Sequence, residues 1–246
     1  MSTIAIGDIH GNFQALDNLL SRITSDVSSE DMVVFLGDYI DRGPRSKDCI
    51  ERIIDFQNSI KGSVVTLLGN HEQWLMRTYK DYTKHSWLLG MEAFETIESY
   101  SPKAKIKLKQ EAEKVGLKLI TDHVSLPYDL FFETVPEKHI EFFINLKSFY
   151  RTRDAVCVHG GLNPSVGRLE DQASDHLIWG TDDFPSRYDG SDIVLYGHTG
   201  DPVIDKDGWP HPRILGKTCG LDTICKSVLT ALKLPGKIII QSDRFN

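Results

Sequence analysis

Five short apolar runs, each ending at a glycine beside an aspartate, asparagine or histidine, restrict the fold of this chain more than any other feature. They are rich in β-branched residues and nearly continuous in apolar residues, which is typical of strands covered on both faces. Helical patterns at 13–23 and 49–56 separate the first three runs, so we predict a parallel sheet with right-handed crossovers. The runs are TIAIGD (3–8), MVVFLGD (32–38), SVVTLLGN (63–70), DAVCVHG (154–160) and DIVLYGH (192–198).

The polar side chains at the ends of these runs form a candidate metal site. Ligands of open α/β sheets bind at the carboxyl ends of strands, and glycine lets the backbone turn sharply there. All the donors are oxygen or nitrogen atoms, a set that suits manganese, with iron or zinc as alternatives, better than it suits a cysteine-rich structural zinc site. The six candidate ligands are Asp8, His10, Asp38, Asn70, His159 and His198.

Six ligands are too many for one catalytic ion, so we predict two divalent metal ions. Asp38 is the expected bridge between an ion held by Asp8 and His10 and an ion held by the other three ligands. Two dications against two carboxylates leave an excess positive charge of about two, which suits a bridging hydroxide and a phosphate ester. The sequence therefore predicts a site for an anionic substrate.

Five motifs in a fixed order carry a resemblance to a known family. GDIHGN, GDYIDRGP, GNHE, VHGGL and GHT, between residues 7 and 199, resemble the calcineurin-like metallophosphoesterases, and more narrowly the bacterial serine/threonine protein phosphatases. This resemblance implies an α/β fold, a four-layer α/β/β/α sandwich of two mixed sheets with the dinuclear site between them. We expect one domain over residues 1–246, with a mostly helical insertion at about 72–135.

The resemblance also implies roles for three further residues. The hydroxide shared by the two ions would attack phosphorus in line, without a phosphoenzyme. His71, next to the ligand Asn70, is the candidate general acid, and Asp41 is the residue that would orient its imidazole. Arg42 is the candidate phosphate clamp, because its planar fork can hold two phosphate oxygens.

The chain departs from the family pattern at one place. Relatives commonly have Ile-Trp, one further residue and then a phosphate-binding arginine, whereas this chain reads LIWGTDDFPSR over 177–187, with Thr181 at that position. Arg187 is the candidate replacement for the missing phosphate ligand. The alternative for Arg187 is an ordinary surface salt bridge.

The leading functional hypothesis is a manganese-dependent phosphomonoesterase, a serine/threonine protein phosphatase that acts on a phosphorylated protein or a small phosphoester. The alternative is a symmetrical dinucleoside tetraphosphate hydrolase, whose relatives tend to read GNHD where this chain has Glu72. Two others stay open on the same fold: a phosphodiesterase and a non-catalytic interaction scaffold.

Composition sets the expected surroundings of the protein. With 28 basic and 35 acidic residues the net charge is −7, which argues against a general binder of nucleic acid or anionic membranes. No signal-peptide core or membrane span is evident, so we expect a cytoplasmic protein. The four cysteines lack a Cys-x-x-Cys spacing and are expected to be reduced packing residues: Cys49, Cys157, Cys219 and Cys225.

Aromatic residues and histidines outside the motifs receive weaker predictions. Trp74, Trp87 and Trp179 are candidates for the mouth of the pocket, although aromatic side chains at helical or strand spacing are more often core. The five histidines outside the motifs are expected to be exposed or to lie on helix surfaces: His85, His123, His139, His176 and His211.

Overall fold

Two five-stranded sheets and a two-stranded ribbon form the β-structure of the protein, in a computed structural model that describes residues 1–245. In chain order the strands are β1 Thr3–Ile6, β2 Met32–Phe35, β3 Ser63–Thr66, β4 Phe149–Arg151, β5 Val156–Val158, β6 Val194–Tyr196, β7 Val203–Ile204, β8 Pro210–His211, β9 Arg213–Leu215, β10 Thr218–Gly220, β11 Thr230–Leu234 and β12 Ile238–Gln241. The strand orders are β12-β11-β1-β2-β3, β4-β5-β6-β10-β9 and β7-β8.

Both large sheets are mixed, as the resemblance implied. Strands β1, β2 and β3 run parallel, which confirms the sequence prediction, and β11 and β12 add antiparallel strands at the edge. In the second sheet β5, β6 and β10 are parallel, with β4 and β9 antiparallel at the two edges. All five predicted core strands are therefore present, three in one sheet and two in the other.

All the α-helices except the last cover the first sheet or fill the region between β3 and β4, and the last one packs on the second sheet. They are α1 Phe13–Thr24, α2 Ser46–Ser59, α3 Asn70–Lys80, α4 Ser86–Gly90, α5 Ala93–Tyr100, α6 Pro102–Val115, α7 Lys118–Thr121, α8 Asp129–Phe132, α9 Glu137–Ile144 and α10 Ser174–Trp179. No helix within residues 1–245 has the length and apolar character needed to cross a membrane.

Alternate residues of the strands face different cores, and this alternation produces the layers. In β2, Val33 and Phe35 pack with the helices, whereas Val34 packs between the two sheets. In β5, Cys157 faces the inter-sheet core, and Val156 faces the outer core of the second sheet. The outer layer on this second sheet is thin, because it consists of the short helix α10 and the loops around it. The α/β/β/α order of layers is thus observed.

Three of the four cysteines occupy the interior. Cys49, Cys157 and Cys219 are buried free thiols, as expected of packing residues, whereas Cys225 is a free thiol at the surface. The exposure of Cys225 differs from the prediction because it lies in the short 3-10 turn after β10, outside the packed strands.

Two histidines of the helical region depart from the predicted exposure. The imidazole rings of His85 and His139 are buried, and each ring nitrogen has a polar partner. His85 contacts the Tyr128 hydroxyl and the Val124 carbonyl, at 3.0 and 2.9 Å. His139 contacts the Tyr100 hydroxyl at 2.8 Å and a Glu51 carboxylate oxygen at 3.0 Å. A histidine with both nitrogens satisfied can be buried at little cost, which sequence spacing does not reveal.

The start of α6 follows the predicted capping pattern. Ser101 has an extended backbone, and its hydroxyl accepts a hydrogen bond from the Ala104 N–H at 3.2 Å. Pro102 is the first helical residue, where its missing N–H costs nothing. This start is therefore fixed by local chemistry alone.

Hydrogen bonds to Asp31 join the N-terminal segment to the loop before β2, and they lead to a prediction about stability. Its carboxylate accepts hydrogen bonds from the Ser2 N–H at 2.6 Å and from the N–H and hydroxyl of Ser28, both at 2.9 Å. Burial alone would raise the pKa of Asp31, but these hydrogen bonds lower it to about 2. We expect Asp31→Asn to lower the free energy of unfolding by about 2 kcal/mol at pH 7.

The direction of the pKa shift of Asp31 determines how its contribution to stability depends on pH. Because the folded pKa lies below the unfolded value of about 3.9, the stabilisation is complete above about pH 5 and is lost as the pH falls through the folded pKa. Urea unfolding at pH 7 and pH 3 measures it, with Asp55→Asn on the exposed side of α2 as the control. An equal loss of stability at both pH values would contradict the electrostatic cause.

Candidate active site

The six predicted metal ligands come together where strands of both sheets end. Asp8 and His10 follow β1, Asp38 follows β2, and Asn70 begins α3 just beyond β3. His159 and His198 follow β5 and β6 of the other sheet. The glycine-flanked strand ends recognised in the sequence therefore meet across the two sheets.

The first group of donors surrounds one oxygen of Asp38. His10 Nε2 lies 3.5 Å from Asp38 Oδ2 and 3.9 Å from Asp8 Oδ2. His71 Nε2 lies 3.9 Å from the same Asp38 oxygen. His10, Asp38 and His71 together have the spacing of a group that could hold a metal ion.

The second group surrounds the other oxygen of Asp38. His159 Nε2 lies 3.3 Å from Asp38 Oδ1 and 2.9 Å from Asn70 Oδ1. His198 Nδ1 lies 3.0 Å from the same amide oxygen, and Asp38, His159 and His198 also form a group that could hold an ion. The two carboxylate oxygens of Asp38 thus face different sets of donors, which suits the bridging position predicted for it.

The orientation of the donors fits divalent ions. Two donor atoms that each lie about 2.1 Å from one ion are about 3.0 to 3.4 Å apart, close to the distances above. The Nδ1 atoms of His10 and His159 contact the carbonyls of Ile40 and Leu36 at 3.0 and 2.9 Å, which leaves each Nε2 turned toward the site. Within residues 1–245 the buried Nε2 of His10 has no hydrogen-bond partner.

The side-chain amide of Asn70 lies among the donors of the second group. Its amide oxygen faces only hydrogen-bond acceptors, and turning the amide over would let its nitrogen donate to His159 and His198 instead. An amide oxygen placed between imidazole nitrogens and a carboxylate is unfavourable unless a cation lies among them. The described side-chain orientation therefore fits a metal-ligating oxygen.

The pKa shifts of the buried acids and histidines also fit a bound cation. Burial raises the pKa of Asp8 well above its ordinary value, and the nearby carboxylates of Asp222 and Asp38 raise it further. Burial, although opposed by Asp38, lowers the pKa of His10 to about 3, and burial with His159 nearby lowers that of His198 to about 4. The imidazoles of His10 and His198 therefore favour the neutral form that binds metal, whereas the Asp38 carboxylate, against burial, raises the pKa of His159. The clustered carboxylates favour bound positive charge.

Backbone strain is concentrated at this site. Among the described residues, nine that are not glycine have a positive φ, and five of them are candidate site residues. Such conformations cost of order 1 kcal/mol or more each and persist where the surrounding structure enforces them. The five are His10 (46°), Asp38 (54°), Asp41 (68°), Arg42 (64°) and His198 (69°).

Two of the motif glycines are required by close approach. A Cβ at Gly69 would lie 2.1 Å from Asp38 Oδ1, and a Cβ at Gly197 would lie 2.0 Å from Asp8 Oδ1. Both carboxylates therefore pack directly against backbone, which explains why glycine precedes the ligands Asn70 and His198 in the sequence.

His71 and Asp41 form a buried pair beside the ligands. His71 Nδ1 lies 2.8 Å from Asp41 Oδ2. Burial alone would lower the pKa of His71, but the carboxylates of Asp38 and Asp41 raise it above its ordinary value. The imidazole therefore favours the protonated form, with Nε2 directed toward the metal ligands.

Two residues that were not predicted to contact Asp41 hold its carboxylate in place. Trp87 Nε1 donates to Asp41 Oδ2 at 3.0 Å, and the Thr96 hydroxyl donates to Asp41 Oδ1 at 2.5 Å. Trp87 is fully buried, so it belongs to the core and not to the pocket mouth. Both residues come from the helical insertion, tens of residues away in sequence, and no local motif marks them.

Arg42 and Asp222 lie near the metal ligands. Arg42 is exposed, and its charge lowers the pKa of both Asp8 and Asp222. Asp222 is only 4% exposed, and burial followed by the charge of Asp38 raises its pKa to about 6. The sequence carries only a weak signal for Asp222, because the short strand β10 ends at Gly220 and Asp222 follows two residues later.

The contacts of Arg187 do not bring it to the site. Its guanidinium is 72% exposed and pairs with Asp183 Oδ2 at 3.0 Å, one helical turn earlier in the chain. The hydroxyl of Thr181 donates to the Leu162 carbonyl at 3.2 Å. The phosphate-binding role of Arg187 stays a prediction that these contacts do not support.

Glu72 has a structural position. Its buried carboxylate accepts hydrogen bonds from the N–H groups of Asp38, Tyr39 and Ile40, at 3.0, 2.8 and 3.3 Å, and from Gly69 at 3.2 Å. It therefore joins the loop after β2 to the start of α3, and so fixes the spacing between Asp38 and Asn70.

We expect Glu72→Ala to destabilise the protein by about 3 kcal/mol, because four buried N–H groups lose their acceptor. Chemical unfolding measures this loss, and Glu113→Ala, at an exposed position of α6, is the matched control. A change below about 0.5 kcal/mol at Glu72 would contradict the structural role.

Comparisons with known proteins agree with this geometry. The sequence profile of the Calcineurin-like phosphoesterase family matches residues 1–225. The chain is 26% identical over 253 aligned positions to bis(5'-nucleosyl)-tetraphosphatase PrpE, asymmetrical, of Bacillus velezensis, covering 94% of this chain and 88% of that protein. A symmetrical bis(5'-nucleosyl)-tetraphosphatase of Buchnera aphidicola is 40% identical, but over 79 residues only, which cover 32% of this chain and 27% of that protein.

A solved structure shares the fold. The crystal structure of a putative diadenosine tetraphosphatase superimposes with a TM-score of 0.64 at 20% identity, over 100% of this chain and 94% of that one. The profile match, which covers most of the chain, shows that the protein belongs to the calcineurin-like phosphoesterase family.

Proposed function

We propose that this protein hydrolyses bis(5'-nucleosyl) tetraphosphates by cutting a phosphoanhydride bond at the candidate active site. The observation that carries the proposal is the similarity along 94% of the chain to a protein named as such a tetraphosphatase. The geometry supports the reaction class, because six oxygen and nitrogen donors converge from two sheets beside the buried pair of His71 and Asp41.

Two divalent ions fit the six ligands, and manganese remains our proposed metal, with iron or zinc as alternatives. When bound, they would supply Lewis-acid polarisation of the phosphate and an activated water. Arg42 would hold phosphate oxygens. His71 would donate its Nε2 proton to the leaving phosphate oxygen, and Asp41 would keep that imidazole oriented and charged.

A serine/threonine protein phosphatase activity has weaker support. The sequence feature that favoured it was Glu72 in GNHE, and the carboxylate of Glu72 is occupied by backbone N–H groups. Whether this position holds Glu or Asp therefore affects how the loop after β2 is supported, and it gives no information about contact with the substrate.

The deciding experiment compares diadenosine tetraphosphate and a phosphoserine peptide, with manganese and after chelation. We expect metal-dependent cleavage of the dinucleotide to ATP and AMP, because the relative that covers most of the chain is named asymmetrical. Two molecules of ADP would instead match the symmetrical relatives. Cleavage of the peptide alone would overturn the proposal.

A further inference from the structure

A groove lies between α3 and the segment from α4 to α7. It consists of two adjoining cavities of about 380 and 410 Å³, which share Trp74, Lys84 and Ser86 as lining residues. We call it the Trp74 groove. Cavities of a few hundred Å³ accommodate small organic ligands, and a nucleoside is of that size.

The Trp74 groove begins beside the metal ligands. Trp74 lies one helical turn after Asn70 on the same face of α3. Its ring is 5.1 Å from that of Trp179, which in turn is 5.8 Å from the ring of His198. On the other wall, the amide nitrogen of Asn70 is 3.9 Å from the sulfur of Met91, next to the lining residue Gly90.

The walls of the groove combine an aromatic and aliphatic surface with positive charge. Leu89 and Ile120 line it and are 55% and 62% exposed, an unusual exposure for large apolar side chains beside a half-buried tryptophan. Arg77, Lys80 and Lys84 also line it, and Asp81 is the acidic lining residue. The groove is therefore cationic within a chain of net charge −7.

The cations of the groove are available to a ligand. Arg77 and Lys84 face Asp175 and Asp81 at 3.7 and 3.8 Å, beyond hydrogen-bond distance, and their side chains are 54% and 58% exposed. Such exposed pairs contribute little stability, so a polyphosphate can displace them at low cost.

We propose that the Trp74 groove binds one nucleoside end of the dinucleotide, with the base stacked on the Trp74 indole and its phosphates extending from Trp74 toward the metal ligands. Arg77 and Lys84, which follow Trp74 along α3 and beyond its end, attract the polyanionic substrate through their charge. This proposal rests on the proposed function, and it identifies the residues that distinguish a nucleotide from a small phosphoester. Stacking accepts any base, so adenine and guanine dinucleotides should be used alike.

The variant Trp74→Ala tests the groove through the ratio of kcat/KM values for two substrates. The ratio compares kcat/KM for diadenosine tetraphosphate with kcat/KM for an aryl phosphate, measured on the manganese-loaded enzyme. We expect this ratio to fall about tenfold, the size of effect that the loss of one base–aromatic stack gives. Trp74→Phe keeps an aromatic face and should hold the ratio within about threefold of the parent.

The ratio separates binding from structural damage. Because Trp74 packs against Trp179, and Trp179 packs against His198, a distorted site would slow both substrates and leave the ratio unchanged. Lys84→Ala should lower the ratio as well, whereas Lys118→Ala, an exposed lysine of α7 outside the groove lining, should not.

Binding of ADP gives a readout without turnover. The chain has four tryptophans, and we expect ADP to quench their fluorescence through Trp74. Trp74→Phe should abolish this quenching. Trp209→Phe should retain it, because the indole of Trp209 lies elsewhere, 5.0 Å from the Arg244 guanidinium.

The outcomes distinguish this proposal from the proposed function. If the parent enzyme cleaves the dinucleotide but Trp74→Ala leaves the ratio unchanged and Trp74→Phe is still quenched by ADP, the groove assignment is wrong and the function stands. If the parent does not cleave the dinucleotide but ADP quenching depends on Trp74, the function is wrong and the nucleotide groove stands.

Discussion

Asp38→Asn is expected to lower turnover on the order of a thousandfold and to reduce tightly bound divalent metal from two ions to one or none. The reason is its position, because the Asp38 oxygens face His10 on one side and His159 on the other, at 3.5 and 3.3 Å. Asparagine has the same shape, and its side-chain oxygen can still accept the hydrogen bond that the backbone N–H of His71 donates to Asp38 Oδ1 at 3.2 Å. The substitution therefore removes the charge and one carboxylate oxygen while it preserves the local fold.

Metal content after desalting, steady-state kinetics and thermal unfolding together measure this prediction. A ligand that binds only the folded state raises the melting temperature, so manganese should stabilise the parent and have little effect on Asp38→Asn. The metal-free variant should be less stable than the metal-free parent, because His159, His71 and His10 hold the pKa of Asp38 well below its ordinary value although burial raises it, so the ionised carboxylate stabilises the fold at neutral pH. The measure of metal binding is therefore the increase in melting temperature that manganese causes in each protein. Asp55→Asn, on the exposed side of α2, is the control. A variant that keeps two ions and full turnover would exclude Asp38 as the bridge.

The strand ends of this protein could be predicted because their signals are local. An apolar run followed by glycine and a polar residue specifies a buried strand, its end and a side chain directed at that end, all within about eight residues. Asp8, Asp38 and His159 were recognisable in this way, and the contacts of Gly69 and Gly197 give the physical reason. The sequence did not show that the strand ends belong to two sheets, which only the resemblance implied.

The supports of the site were not predictable, because they depend on contacts between distant segments. Trp87 and Thr96 hold Asp41 from helices of the insertion, and their spacing in the sequence resembles that of ordinary core residues. Glu72 follows two site residues directly, yet its carboxylate turns back to the loop after β2. The role predicted for Arg187 depends on a loop conformation that the sequence does not specify, and the observed contact of Arg187 is an ion pair with Asp183.

The insertion therefore has two effects on the site that its sequence did not reveal. One face of it buries the pair of His71 and Asp41 and removes both side chains from solvent, since they are 1% and 0% exposed. Another part forms the Trp74 groove. The same helices that fix the candidate proton donor thus also form the proposed contact with the rest of the substrate, which links substrate choice to the positioning of the acid.

His71→Asn should make turnover depend more steeply on the leaving group. General acid catalysis contributes about 10² to 10⁴ in rate where the leaving oxygen is strongly basic, as in an alkyl phosphate. A phosphoanhydride releases a phosphate oxygen whose pKa is about 6, so it needs far less help from an acid. We expect losses in kcat of about a thousandfold for an alkyl phosphate and about tenfold or less for diadenosine tetraphosphate, with metal content retained.

A series of aryl phosphates with leaving groups of graded pKa gives the sharpest measurement. The slope of log kcat/KM against leaving-group pKa should be steeper in His71→Asn than in the parent. Asp41→Asn should show the same change to a smaller degree, and the double variant should be no worse than His71→Asn, because Asp41 acts through the imidazole at 2.8 Å. An equal loss across the whole series would mean that His71 does not donate the proton, and its place 3.9 Å from Asp38 Oδ2 would then favour a role in metal binding.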